Sequence, residues 1–167
     1  MTTGRFVPLA AVTTAMVSST LLLLAPACGT KGNADCGESC APVEGVYPLV
    51  FQPDAGLPPE CANLNAPPLP DGKDLTLTRD GGALGGSLEG VALRGQVFPT
   101  GDLTVSGAPP PSSDGGLTLF ISVSATFTGG ASDGGSLTGT FSGNFSRIQG
   151  SGSLQCTVTR PFTATRR

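Results

Sequence analysis

The chain has 167 residues, with nine Lys or Arg against twelve Asp or Glu, for a net charge of −3. It holds no His and no Trp, so neither a Ser-His-Asp nor a Cys-His nucleophile can be assembled, and its scattered basic residues form no stripe that would track a nucleic-acid backbone. Its 25 glycines and 15 prolines work against long helices, and no strict Gly-X-Y period points to collagen.

The first residues, MTTGR, carry Arg5 and the terminal amine. An apolar stretch follows from Phe6, is diluted by Thr13, Thr14 and Ser18, and ends in the block Leu21 to Leu24. That is the charged-then-apolar layout of a secretory signal. The polar interruptions and Pro26 argue against a permanent spanning helix. The next residues read LAPACGT, in which Ala27 and Cys28 resemble a bacterial lipobox. Three residues before the cysteine, Ala25 stands where that motif carries a leucine-like residue. Ala25-Pro26-Ala27 also fits the A-x-A pattern of ordinary signal peptidase, so cleavage without lipidation is the alternative. The lipobox resemblance implies that residues 1–27 are a lipoprotein signal peptide and that Cys28 becomes a triacylated cysteine held by membrane lipid. Gly29, rather than Asp, follows it. By the rule of that family, the address is the outer membrane, lipid-anchored, on the periplasmic face.

Cysteines occur at 28, 36, 40, 61 and 156. An exported chain with an odd number leaves one thiol over. Acylation of Cys28 removes the odd one and leaves Cys36, Cys40, Cys61 and Cys156 as disulfide candidates, with three pairings open. At least one of the first three is expected to reach Cys156. Closing a loop of roughly a hundred residues is worth about 4.7 kcal/mol in the chain-entropy model. Cys36 and Cys40 are spaced C-x3-C without any His, so the exported setting favours disulfides over metal, and no metal or cofactor is expected.

Residues 28–73 read as a Pro- and Cys-containing tether and lead-in. Seven prolines between Pro48 and Pro70 interrupt any long element, although a short strand fits Val46 to Phe51. From Asp74 the pattern changes to alternation with a period of two. DLTLT sets Leu75 and Leu77 on one face, SLEGVALRGQVF sets Val91, Leu93 and Val97, and DLTVS sets Leu103 and Val105. In GLTLFISVSATFT, Leu119 to Phe127 alternate with Thr and Ser, and Phe120 breaks the polar face. The last two segments align Leu137, Phe141 and Phe145, then Cys156, Val158, Arg160 and Phe162. Pro161 suits an edge or a bulge. Asp-Gly-Gly at 80–82, 114–116 and 133–135 supplies turns.

The expected fold is therefore mostly β. An antiparallel meander of about six or seven strands over 74–167 forms a small barrel or sandwich, after a flexible N-terminal tether. A membrane-spanning barrel is disfavoured, because aromatic girdles are lacking and the second face is Ser/Thr. Asp71 and Asp74 read as solvated turn charges rather than an acid–base pair.

The lipobox-like LAPAC and the Gly/Ser/Thr-rich strands resemble small exported lipoproteins of uncharacterised function, of the kind frequent in myxobacteria and related soil bacteria. That resemblance carries no catalytic motif. The expected role is a noncatalytic envelope lipoprotein, structural or interacting, with an envelope protein as partner and no nucleic acid. The alternative is a β-domain binding a small apolar ligand or glycan, motivated by Phe127, Phe141, Phe145 and Phe162.

Overall fold

The structure is a computed structural model that describes residues 39–53, 55–110, 116–130 and 134–167. Among them are eight strands and one short helix: β1 (Gly45–Phe51), α1 (Pro59–Asn63), β2 (Asp74–Asp80), β3 (Ala83–Leu88), β4 (Val91–Val97), β5 (Asp102–Gly107), β6 (Thr118–Thr128), β7 (Ser136–Gln149) and β8 (Gly152–Thr165). Each strand pairs antiparallel with the next, and β8 returns to β1, so the meander closes as a barrel rather than a sandwich. Closure pairs Leu49–Phe51 of β1 with Phe162–Ala164 of β8, which covers that part of each strand's open edge.

Alternation explains the core. Leu75 and Leu77, Leu103 and Val105, and Ile121, Val123 and Phe127 are buried, while the intervening Thr and Ser face water. An eight-stranded barrel is just wide enough for side chains to fill it. Glycines at inward positions let the wall turn sharply. At Gly95 a Cβ would strike the backbone of Thr104, and at Gly139 it would lie 2.6 Å from the Cα of Ala125.

Two expectations are corrected. The β-rich region starts at Gly45, not Asp74, because β1 pairs with β2 through Gly45 opposite Leu77 and with β8 through Leu49 opposite Ala164. The second part of the lead-in is thus barrel wall. The segment read as one strand from Ser87 to Phe98 is divided between β3 and β4 by a two-residue turn at Glu89 and Gly90, with φ of 49° and 81°. Positive φ at both central positions defines the turn that matches strand twist. This raises the strand number to eight. Pro161 falls where expected: β1 stops at Phe51, opposite Phe162, so Pro161 is the first position of that edge of β8 without a strand partner.

Candidate functional site

The two ends of the barrel are built differently. The lower end carries the arriving chain at Gly45 and the connections β2–β3, β4–β5 and β6–β7. The upper end carries the segment from Gln52 to Lys73, the β3–β4 turn and the β7–β8 turn.

At the upper end the wall has a gap. β1 and β8 are paired only at Leu49–Phe51 and Ala164–Phe162, yet β8 continues upward to Gly152. The segment between β1 and β2 fills that gap. Pro59 opens α1, where a missing N–H costs nothing. The helix stops after one turn because Asn65 takes φ 53°. Its N–H donates to the Ala62 carbonyl, and that of Ala66 donates to the Cys61 carbonyl, which caps the helix's C-terminal end. This leaves Cys61 fully buried against β8, disulfide-bonded to Cys156 with their Cα atoms 5.3 Å apart. Arg160 adds a second tie, its Nη2 donating to the Gly56 carbonyl at 2.8 Å. The Phe51 N–H donates to Asp71 Oδ1 at 3.0 Å, so Asp71 is tied to the end of β1.

Beneath this segment lies an apolar cleft between Pro67–Pro70 and the rim residues Leu88, Phe141, Phe145 and Val158. Its free volume is about 30 Å³, room for water-sized occupants only. Phe51 packs edge-on to Phe141 at 5.8 Å and lies 6.3 Å from Phe162. Phe127 does not join this group. It sits at the lower end, opposite Leu137, with the Arg166 guanidinium 5.5 Å from its ring.

At the lower end, arginines hold the arriving chain. Arg166 donates through Nη1 to the carbonyls of Pro42 (2.8 Å) and Glu44 (3.2 Å), and through Nη2 to Gly130 (2.6 Å). Arg79 Nε donates to Glu44 Oε1 at 2.6 Å. Burial works against the Glu44 charge, but the Arg79 hydrogen bond and the positive charges of Arg79 and Arg166 outweigh it and hold the carboxyl below its ordinary value. Tyr47, with no exposed surface, donates its hydroxyl to the Val43 carbonyl at 3.0 Å. Burial raises its phenol above the ordinary value against the pull of Arg166. On the outer wall, hydrogen bonds from Thr126 (2.7 Å) and Thr100 (2.9 Å) lower the Asp102 carboxyl.

Of the sequence-derived site residues, Cys61 and Cys156 are brought together, and Cys40 is also disulfide-bonded. Cys28 and Cys36 lie outside the described residues. Sequence reasoning missed the roles of Arg79, Arg160 and Arg166. The available signal was the alternation itself, which sets Arg79 in line with Leu75 and Leu77, and Arg160 in line with Val158 and Phe162.

The fold thus defines an eight-stranded, up-and-down antiparallel barrel with one mouth covered by a disulfide-held segment. Comparison with protein-family models, with curated proteins and with solved structures found no match.

Proposed function

We propose that this chain is a lipid-anchored envelope protein of the outer membrane, acylated at Cys28, in which a filled barrel serves a noncatalytic structural or interaction role. The cysteine arrangement carries the reading. Cys61 and Cys156 consume each other and Cys40 is bonded, so one cysteine of the five is left without a disulfide partner within the chain. Acyl transfer to Cys28 disposes of it and leaves Cys36 for Cys40. The periplasmic side is the compartment where such disulfides persist.

Intact-mass analysis of protein taken from its own membranes tests this. The expected mass is that of a chain starting at Cys28 with acyl groups and two disulfides. A chain starting there with an unmodified thiol, or a disulfide between Cys28 and Cys40, overturns it.

A second reading, binding of a small apolar ligand, draws on the cleft beneath Pro67–Pro70. That cleft takes a hydrocarbon chain only if the proline-rich segment lifts. Native mass spectrometry checks it, with bound mass expected in protein from its own cells and consistently empty protein counting against it.

A further inference from the structure

The β7–β8 hairpin overshoots the barrel. β6 begins at Thr118, opposite Ser146, so the pairs Arg147–Leu154, Ile148–Ser153 and Gln149–Gly152 have strand partners only in each other. Gly150, at φ 57°, makes the narrow turn at the tip. Two aliphatic side chains stand out among its Ser, Gln and Gly residues: Ile148 is 78% exposed and Leu154 45%. The tip also belongs to a stretch with no acidic side chain, since residues 134–167 contain four arginines and neither Asp nor Glu.

We propose that this tip is a second membrane contact, in which Ile148 and Leu154 enter the headgroup–acyl boundary and Arg147 pairs with anionic lipid phosphate. Three observations favour lipid over a protein partner. Ile148 has the outward register of Asn144 and Ser146, whereas Leu154 has the inward register of Cys156, so the two aliphatic side chains lie on opposite faces of the hairpin. A flat partner covers one face and leaves the other wet, but an acyl phase surrounds both. Arg147 stands directly opposite Leu154, which places a cation beside an aliphatic side chain, and both contribute to binding an anionic membrane surface. The chain between Cys28 and Ser39 can extend to about 40 Å, comparable with a tilted strand of this length (~33 Å). A barrel anchored at Cys28 can therefore turn its upper end onto the leaflet that holds it. The inference rests on the anchored reading for this last step only.

The absence of Trp makes the test direct. Full-length protein carrying Ile148→Trp is purified from membranes and reconstituted in phosphatidylethanolamine–phosphatidylglycerol vesicles or in phosphatidylcholine vesicles. Phe120→Trp serves as the wall control, since Phe120 lies below the rim, opposite Asn144. The expected result is a blue shift and quenching by brominated acyl chains at position 148, stronger with phosphatidylglycerol, and neither effect at position 120. Arg147→Gln should remove the phosphatidylglycerol preference. Ile148→Ser with Leu154→Ser should lower partitioning of protein lacking acyl groups on the order of tenfold, with the unfolding transition unchanged. Emission at the water value in both vesicles, equal quenching at both positions, or protection of position 148 only by an added envelope protein would overturn the proposal. Failure of acylation at Cys28 shows separately, in the intact mass, and leaves the vesicle result readable with protein added from outside.

Discussion

The two ends of the barrel solve one problem with different chemistry. At the lower end β1 and the preceding segment are held by hydrogen bonds from Arg79 and Arg166 and by the buried Tyr47. At the upper end β1 stops early, and a covalent link from α1 to Cys156 takes over where strand pairing ends. Barrel closure here does not require a full ladder along the seam. A short ladder suffices if what lies beyond it is pinned.

Removing the pin should destabilise the barrel most. Cys61→Ser with Cys156→Ser should cost about 4 kcal/mol for a link spanning 95 residues, read by denaturant unfolding. Limited proteolysis should then cut first near α1 and not near Glu44. Strain in the wall between the ends comes next. Gly139→Ala places a methyl group against the Ser124 carbonyl and Ala125 and should cost about 1–3 kcal/mol, without altering the cleavage pattern at either end. Arg166→Met removes charged hydrogen bonds to three carbonyls and should cost about 2 kcal/mol. Hydrogen exchange should rise around Gly45 while α1 stays protected.

The smallest effect is electrostatic. The Glu44 carboxyl is lowered in the folded state from 4.5, so its contribution is complete above that value and is lost as pH falls through the folded value. Glu44 is 42% exposed, so solvent screening keeps the contribution below about 1 kcal/mol. Denaturation midpoints of Glu44→Gln and the parent should differ at pH 7 and converge once pH has fallen through the folded value.

β2 and the wall from β4 to β8 are legible in the sequence because inward Leu, Val and Phe alternate with Thr and Ser, a pattern that a half-buried strand imposes directly. β3 was hidden because Gly85 and Gly86 remove its alternation, and because Glu89 carries none of the usual marks of a left-handed turn position. The short strand at Val46 to Phe51 is legible and is found as β1, but Pro48 and the prolines after it hide its place in the barrel wall. The structure accommodates Pro48 opposite Asp74, the last β1–β2 pair and one residue before pairing with β8 begins. Cys61 and Cys156 were legible as candidates, but their pairing was not, since it depends on where Asn65 ends a one-turn helix. Long-range carbonyl partners such as Pro42 and Gly130 for Arg166 leave no mark in local sequence.

The strand order has a kinetic corollary. Among the described residues, seven of the eight ladders join strands that follow each other in the chain, and the seam between Leu49 and Ala164 joins distant ones. Loop-closure entropy therefore falls almost wholly on that one docking event. The hairpins can form before it, since none of them needs the seam between β1 and β8.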